Sequence, residues 1–421
     1  MAAPKAEKTP SADLNEIRDA IGKLSAEQQE SLAKWLRQLA SERASERRNA
    51  AATDHRVFFK SPALLWTFIS LIAFLIAEGA IFRLGWYNKY LEPQSSAGMV
   101  ESYLFWLNHT LPTAVPEVMV LGDSRIAEGF SSRDADRVAG NKVHFWNFGM
   151  GGTSPRIWYY VLRDADPTRR RFRAIAIELD HYSDKDEFDS RPNRLIDLNF
   201  IIGRLRLTDC LEFAASMVSR EFKEKALAGC LFKGIPLRRD AQEFLLNVSD
   251  RIKRSKDWRN KGLFYTTDYL GREENLVGLS ADFVHRTIVY PPGIDEQRRS
   301  TIEGMVMPAP APQTGETTRY RELWMGRILD LYKDSPTQII FYEVPRAPLP
   351  RPEDREPAIY LQSALKRPRV TALPQNTFRD LERPDVFFDG LHLNRIGRGI
   401  FSSRIAQTIP PLIGIQTPGV Q

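Results

Sequence analysis

Cysteine and histidine are scarce in this chain, and their scarcity excludes several kinds of site. The 421 residues include only two cysteines, Cys210 and Cys230, and six histidines. No C-x-x-C pair and no Cys/His spacing typical of a zinc site occurs, so we expect neither a metal nor another cofactor. The two thiols either form one disulfide in an oxidising compartment or stay reduced and buried, and the sequence leaves both alternatives open.

A strong excess of one charge is also absent. The formal net charge is +6, from 59 basic and 53 acidic residues, and the arginines are spread along the chain. Without a nucleic-acid-binding motif, this balance indicates solvation with some preference for anionic surfaces, and we expect no nucleic-acid partner. Hydrophobic residues make up 43% of the chain, which allows a sizeable core in one large domain or two ordinary domains.

One long apolar run is present, at residues 63–82. It reads ALLWTFISLIAFLIAEGAIF and contains a single charge, Glu78, near its end. A helix of this length can just cross a bilayer core, and aromatic residues follow it at the depth of the membrane interface. More than sixty residues precede the run, far more than a cleaved signal peptide carries there. The run therefore predicts one transmembrane helix over residues 63–84.

The charges flanking this run predict its orientation. Basic residues precede it, and acidic residues become frequent after it. Because basic flanks stay in the cytoplasm, we expect a single-pass protein of the cytoplasmic (inner) membrane. Its N-terminus would be cytoplasmic, and its large C-terminal part would be extracytoplasmic, in the periplasm of a Gram-negative cell. The basic residues before the run are Arg43, Arg47, Arg48, Arg56 and Lys60.

Residues 1–62 read as a cytoplasmic helical segment. Leu14 and Ile17 begin a helical spacing of apolar residues, and S-A-E-Q from Ser25 is a capping box that opens a second helix. The A-S-E-R-A-S-E-R-R run that follows reads as a solvated extension of that helix. The apolar stripes could close on each other as a hairpin, self-associate, lie on the membrane or bind a cytoplasmic partner.

Beyond residue 113, apolar strands alternate with amphipathic helices, which is typical of a parallel sheet covered by helices. We expect this α/β domain over residues 114–410, an aromatic-rich connector over 85–113 and a tail over 411–421. The Pro-rich stretch 291–317 reads as a surface loop, and 206–258 reads as two or three helices. The predicted strands are PEVMVLG, RAIAIEL and TQIIFYEV, and two of the predicted helices are SPRIWYYVLRDA and NRIGRGIFSSRIAQTI.

A serine stands where the first of these strands ends, in the sequence V-L-G-D-S. A serine hydroxyl is a poor nucleophile that needs a base, a group that orients the base, and donors for the oxyanion. In an open parallel sheet such groups collect at the carboxyl ends of the strands, which is where Ser124 falls. His392 in F-F-D-G-L-H-L-N is a candidate base, and Asp389, one turn earlier, can orient it.

Three blocks in this order resemble the SGNH/GDSL superfamily of esterases and acyltransferases. The first is G-D-S at 122–124, the second is N-x-G-x-x-G in W-N-F-G-M-G-G, and the third is D-x-x-H before the last helix. The resemblance covers about residues 115–408, with identity at the blocks. It implies a flavodoxin-like parallel sheet sandwiched by helices, and one functional set of residues. Ser124 would be the nucleophile, His392 the base and Asp389 the group that orients the base. Gly152 and Asn147 would contact the oxyanion or the substrate.

The chain departs from the family pattern after the third strand. The family usually has G-x-N-D there, with the Asn side chain donating to the oxyanion, whereas this chain has E-L-D-H-Y. Asp180 falls at the Asn position, and an ionised carboxylate cannot donate a hydrogen bond. The third donor would then come from elsewhere, or Asp180 would bind another group such as a sugar hydroxyl. His181 falls at the following position and reads as structural.

The resemblance and the membrane anchor together imply an extracytoplasmic serine acyl-ester enzyme. Anchored proteins of this kind add or remove acyl groups, usually acetyl, on cell-surface polysaccharides, often beside a multi-span membrane acyltransferase. Transfer and hydrolysis share one acyl-serine intermediate, so the sequence leaves both open. The alternative is a non-catalytic subunit of an envelope-polysaccharide assembly that keeps the fold.

Overall fold

The chain divides into two compact units, Met1–Ala77 and Glu78–Gln421. The computed structural model describes residues 22–23, 25–59, 62–179, 195–261, 269–307, 315–350 and 359–416. The predicted helix around Leu14 and Ile17 lies outside the described residues.

The first unit contains the predicted second helix, α1 (Ala26–Phe59). The capping box is confirmed, because the Ser25 N–H donates to Gln28 Oε1 at 2.9 Å and the Gln28 N–H donates to Ser25 Oγ at 3.3 Å. The helix continues through the A-S-E-R-A-S-E-R-R run, as the sequence predicts. Trp35 and Leu36 in its apolar stripe are about half exposed, so α1 keeps an apolar surface among the described residues.

The apolar run forms α2 (Pro62–Phe82), close to its predicted bounds. Residues Leu64–Phe82 are long and apolar enough to cross a membrane. Large apolar side chains along it are exposed, among them Trp66, Phe68 and Phe74. A contiguous exposed apolar surface of this kind is typical of a helix that contacts a membrane or a partner.

The second unit is built on a five-stranded parallel sheet, which confirms the predicted α/β class. The strands are β1 (Glu117–Gly122), β2 (His144–Gly149), β3 (Ala174–Leu179), β6 (Gln338–Glu343) and β7 (Val370–Ala372), in the order β2-β1-β3-β6-β7. A two-stranded antiparallel hairpin, β4 (Ser280–Asp282) and β5 (Thr287–Val289), stands apart from it. The strand order is that of the flavodoxin-like doubly wound class, whose switch point lies between β1 and β3.

Helices cover both faces of this sheet. Along β1, Met119 and Leu121 face one apolar core, whereas Val118 and Val120 face the other. Strands buried on both faces read as continuous apolar runs, which is why the central strands could be predicted. The helices are α3 (Ser96–His109), α4 (Ser124–Gly129), α5 (Ser132–Val138), α6 (Pro155–Ala165), α7 (Ile196–Ile201), α8 (Asp209–Ala215), α9 (Arg220–Leu231), α10 (Arg238–Leu246), α11 (Val248–Lys261), α12 (Glu296–Val306), α13 (Gly315–Leu331), α14 (Ile359–Ala364) and α15 (Arg395–Leu412).

Two stretches differ from the prediction. The expected connector 85–113 contains α3, in which Val100 and Leu104 are fully buried in the core, because this helix has enough apolar residues to serve as a core element. The Pro-rich stretch 291–317 contains α12 instead of a loop only. Its prolines fall outside the helix, and Asp295 caps its N-terminus by accepting the N–H of Arg298 at 2.8 Å.

The structure also decides the question that the cysteines left open. Cys210 of α8 and Cys230 of α9 form a disulfide. Residues 206–258 form four helices, α8 to α11, where two or three were predicted. Short connections with polar residues separate these helices, so their boundaries are weak in the sequence.

Candidate active site

Ser124 lies at the carboxyl edge of the sheet, directly after β1. Asp123 ends the strand and caps α4, because its Oδ1 accepts the N–H of Arg125 at 2.8 Å. Ser124 is therefore the first residue of α4, and its own N–H has no carbonyl partner within the helix. The strand predicted before G-D-S is present and ends at the switch point between β1 and β3.

The structure brings Ser124, His392 and Asp389 together. His392 Nε2 lies 2.9 Å from Ser124 Oγ, although the two residues are 268 positions apart in the sequence. On the other side of the ring, Nδ1 lies 2.9 Å from Asp389 Oδ2 and 3.2 Å from Oδ1. This is the hydroxyl–imidazole–carboxylate order that an activated serine needs.

A tight turn holds Asp389 in place. Its Oδ1 accepts the N–H groups of Leu391 and His392, each at 2.7 Å. The N–H of Phe388 donates to the carbonyl of His392 at 2.9 Å and closes the turn. The D-x-x-H spacing thus works as predicted, because the carboxylate caps the same turn that presents the imidazole.

Helix α12 supports this turn from outside, and the sequence did not reveal that role. Arg298 donates to the carbonyl of Phe388 from Nε at 3.1 Å and from Nη2 at 2.5 Å. A Cβ on Gly390 would lie 2.3 Å from the carbonyl oxygen of Thr301, so the turn can approach α12 only as glycine. The available signal was an eleven-residue stretch free of proline that follows an Asp cap.

The environment makes His392 more basic and Asp389 more acidic than usual. Burial disfavours the imidazolium, but the hydrogen bond to Asp389 and its charge outweigh burial and raise the pKa of His392. Burial alone would raise the pKa of Asp389. The hydrogen bond with His392, its charge and the two backbone N–H groups outweigh it and lower that pKa. A base of raised pKa beside an ionised carboxylate is suited to accept the hydroxyl proton of Ser124.

A buried ion cluster fixes the turn that carries Ser124. Glu178 of β3 is 1% exposed, and its Oε1 accepts the N–H of Asp123 at 2.9 Å. Arg125 pairs with Asp123 at 2.9 Å and with Glu178 at 3.4 Å. A Cβ on Gly122 would lie 2.4 Å from Glu178 Oε2, so this packing needs glycine. Sequence reasoning missed Glu178; the signal was a lone charge within an apolar strand.

Asn147, which the resemblance places at the oxyanion and the substrate, is buried within the fold. Its side chain is 0% exposed, and Oδ1 accepts the N–H of Gly149 at 2.9 Å. Its Nδ2 donates to three backbone carbonyls at the end of α4, and an amide so occupied has no donor left for an oxyanion. Asn147 positions α4 instead. The three carbonyls belong to Ile126 at 3.2 Å, Ala127 at 3.2 Å and Phe130 at 2.8 Å.

The glycine block after β2 lies beside the serine. A Cβ on Gly149 would lie 2.0 Å from the backbone nitrogen of Ala127, so glycine lets β2 and α4 touch. A Cβ on Gly151 would lie 3.7 Å from Ser124 Cβ. Gly152 is exposed and has a φ of +73°, which favours glycine. The loop that carries Gly152 therefore borders the serine, as the resemblance implies.

Asp180 and His181 lie outside the described residues. Among the described residues, no group of His, Cys, Asp and Glu is arranged to hold a metal ion.

The side of the site next to the Asp389 turn carries aromatic and cationic groups. Tyr269 donates to Glu128 Oε2 at 2.8 Å, and Arg272 lies 3.4 Å from the same oxygen. The guanidinium groups of Arg272 and Arg298 each lie 4.4 Å from the ring centroid of Phe388. These residues give the edge of the site a polar and partly cationic surface.

No protein-family model matches the chain, and no curated protein matches it either.

Proposed function

We propose that this protein is a membrane-anchored, extracytoplasmic serine acyl-ester enzyme of the SGNH/GDSL type. It transfers or removes acyl groups, most simply acetyl groups, on a cell-surface polysaccharide. The observation that carries the proposal is the contact between His392 Nε2 and Ser124 Oγ at 2.9 Å, backed by Asp389 at 2.9 Å from Nδ1. Residues this far apart in the chain meet in this order only because the fold brings them to one edge of the sheet.

The chemistry that follows has two half-reactions. Ser124 Oγ attacks the acyl carbonyl carbon while its proton passes to His392 Nε2. The tetrahedral intermediate collapses, the bond to the leaving oxygen breaks, and His392 returns the proton to that oxygen. An acyl-serine remains. Water or a sugar hydroxyl then attacks the acyl carbon, gives its proton to His392 and releases Ser124, whose oxygen takes the proton back.

Two backbone N–H groups are the proposed donors for the oxyanion. The N–H of Ser124 stands at the first position of α4, where helical groups point outward and carry partial positive charge. Gly152 supplies the second from the adjoining loop, as the resemblance implies. The side-chain amide of Asn147 donates to three backbone carbonyls, so we assign it no contact with the oxyanion.

Two observations support the extracytoplasmic location. The Cys210–Cys230 disulfide fits an oxidising compartment, since cytosolic thiols are kept reduced. Helix α2 is long and apolar enough to anchor the chain once, and the basic residues before it favour a cytoplasmic N-terminus. An anchored enzyme that faces the envelope meets glycans there. A multi-span membrane acyltransferase is the partner that would supply acyl groups for transfer.

The test is covalent capture of the serine in the detergent-solubilised full chain. We expect a fluorophosphonate probe to label Ser124, and p-nitrophenyl acetate to be hydrolysed by the unmodified protein. Ser124→Ala should lose both signals, whereas Ser300→Ala, at an exposed serine on α12, should keep them. Circular dichroism of both variants shows whether the fold is retained.

The same experiment tests the non-catalytic alternative. If the unmodified protein neither reacts with the probe nor hydrolyses the ester while it is folded, the catalytic proposal fails and a scaffold of an envelope-polysaccharide assembly remains. The complete set of hydrogen-bonded side chains from Ser124 through His392 to Asp389 favours the catalytic proposal, because a scaffold has no need for it.

Adding an acceptor distinguishes transfer from hydrolysis. Oligosaccharides are added to the p-nitrophenyl acetate assay, and the products are analysed by mass spectrometry. A transferase forms acetylated oligosaccharide at the expense of free acetate, whereas an esterase forms acetate alone. Ser124→Ala must form neither product.

A further inference from the structure

The last turn of α2, from Glu78 to Phe82, belongs to the second unit and is packed within it. Glu78 is 7% exposed, and its Oε1 accepts the N–H of Gly234 at 3.0 Å. A Cβ on Gly234 would lie 2.8 Å from Glu78 Oε2 and 3.1 Å from the ring of Phe82. Glycine thus lets the connection between α9 and α10 touch the side of the apolar helix.

The residues just after this helix are held by the same region. Arg83 Nη2 donates to the carbonyls of Cys230 and Leu231 at 2.6 and 2.8 Å, where a cation also interacts favourably with the C-terminus of α9. Trp86 Nε1 folds back and donates to the carbonyl of Ala80 at 2.6 Å. The disulfide at Cys230 joins α9 to α8 and braces this attachment.

Four exposed apolar residues surround the attachment, and we call them the apolar rim. They are Leu84, Trp86, Leu231 and Ile235, with exposed fractions of 78%, 41%, 38% and 60%. Trp86 contacts Ala80 in the last turn of α2, and Ile235 adjoins Gly234. Leu84 adjoins Arg83, and Leu231 accepts a hydrogen bond from Arg83. Exposed basic residues, Lys89, Arg238 and Arg239, follow close by in the chain. Apolar and aromatic side chains with neighbouring basic residues are typical of a surface that enters the membrane interface.

The length of α2 decides the depth of this rim. Leu64–Phe82 has 19 residues and is about 28 Å long at 1.5 Å per residue, close to the roughly 30 Å of a bilayer core. The part before Glu78 alone would be about 21 Å long, too short to span without distorting the bilayer. The turn from Glu78 to Phe82 must therefore lie at membrane depth, and Gly234 lies at the level of Glu78.

We propose that the apolar rim is a lipid-contacting surface, and that the α9–α10 connection dips into the outer interface of the bilayer beside the anchor. This inference rests on the proposed membrane span. In this position lipid instead of water covers Leu84 and Ile235. The connection between α9 and α10 also supplies the N–H that Glu78 needs where no water is available. The second unit then meets the membrane through one defined face.

The chain lends itself to a direct test, because its only two cysteines form the disulfide. Single cysteines are introduced in the full chain, as Ile235→Cys or Leu84→Cys in the rim, and as Val284→Cys in the β4–β5 hairpin, which is 86% exposed. A fourth position, Leu71→Cys, marks the middle of α2. Each is labelled with nitrobenzoxadiazole without reduction and reconstituted in vesicles of phosphatidylethanolamine and phosphatidylglycerol.

Nitroxide-bearing phosphatidylcholine is then used to quench the label. We expect nitroxides near the headgroup to quench the two rim positions several-fold more than Val284→Cys, and nitroxides deep in the acyl chain to quench Leu71→Cys. If Leu71→Cys is quenched but neither rim position is quenched more than Val284→Cys, the proposal that the rim contacts lipid fails and the membrane span stands. No quenching at Leu71→Cys would overturn the anchor, and the rim with it.

Discussion

Two buried arginines in the second unit form similar ion clusters, but the clusters lie in different parts of the fold. Arg125, 6% exposed, pairs with Asp123 and Glu178 directly beneath Ser124. Arg251, 0% exposed, joins α11 to α10 and to the stretch that follows α2. Its partners are Glu92 at 3.1 Å, Asp240 at 2.9 Å and Glu243 at 2.6 Å.

The difference between the clusters lies in what each one touches. The Arg125 cluster ends at the switch point of the sheet, where Ser124 and His392 reach solvent. The Arg251 cluster also binds the carbonyl of Tyr90, and its member Asp240 accepts a hydrogen bond from the Tyr87 hydroxyl at 2.6 Å. Buried ion pairs therefore do not mark a functional site by themselves. Their position at a strand end beside titratable groups is what makes the Arg125 cluster part of a candidate site.

The greatest loss of activity is expected on the catalytic side, at Asp389. Asp389→Asn keeps the shape of the turn but can no longer hold His392 in the tautomer that accepts a proton from Ser124. We expect kcat/KM for p-nitrophenyl acetate to fall on the order of 10³–10⁴-fold with little change in Tm. Asp385→Asn, at a half-exposed carboxylate paired with Arg383, is the matched control and should keep its activity. Equal activity of the two variants would contradict the proposed role of Asp389.

The second prediction concerns the Arg251 cluster. Arg251→Met leaves three carboxylates without their shared cation, so the free energy of unfolding should fall by about 3–5 kcal/mol. Arg254→Met removes a half-exposed cation that pairs with two of the same acids, Glu92 and Glu243, and should cost far less. Denaturant titration of the full chain in detergent measures both. If the two variants lost the same free energy of unfolding, the burial of Arg251 would not explain its contribution to stability.

The third prediction concerns the disulfide that braces the attachment of α2. Replacing both cysteines, Cys210→Ala with Cys230→Ala, opens a link between residues 20 positions apart. The chain-entropy relation gives a loss of about 3 kcal/mol for a loop of this size. Because Ser124, His392 and Asp389 lie at the sheet edge, fluorophosphonate labelling of Ser124 should persist in the folded variant. A loss of labelling without unfolding would show that the two regions are coupled.

A smaller change is expected in the pH dependence of the reaction. His392 acts as a base only when neutral, so kcat/KM should rise with pH through a midpoint above the ordinary histidine pKa of about 6.5. Asp389→Asn removes the main cause of the raised pKa and should move the midpoint down. A midpoint that is the same in both proteins would contradict the assignment of the base.

The pKa values of these two residues also contribute to stability, in opposite pH ranges. The raised pKa of His392 stabilises the folded state below the ordinary histidine pKa, and this contribution is lost as pH rises through the raised value. The lowered pKa of Asp389 stabilises it above the ordinary aspartate pKa, and this contribution is lost as pH falls through the lowered value. A tenfold difference in proton affinity between the folded and unfolded states corresponds to about 1.4 kcal/mol.

Much of the fold could be predicted because it depends on local pattern. The three strands predicted from the sequence are apolar runs, and the capping box at Ser25 and the turn at Asp389 involve residues within one turn of each other. The elements that were missed lack such a pattern. Strand β7 has three half-buried residues, and α12 sits between prolines that suggest a loop.

The candidate site was predictable in part for the same reason. G-D-S and D-x-x-H are local motifs, but the direction of a side chain depends on what surrounds it. Asn147 turns inward because three carbonyls at the end of α4 converge on it. Glu178 could be noticed as a lone charge in a strand, but its contact with Asp123 comes from the pairing of β1 with β3.

The apolar helix, the alternation of strands and helices, and the short turns that present Ser124 and His392 can all be read from the chain, because they depend on neighbouring residues. Three further features follow from tertiary packing instead: the two residues meet at 2.9 Å, Cys210 and Cys230 pair, and the last turn of α2 packs against Gly234. These contacts join distant parts of the chain. They depend on packing between elements that are not neighbours in the sequence, which no local pattern reveals.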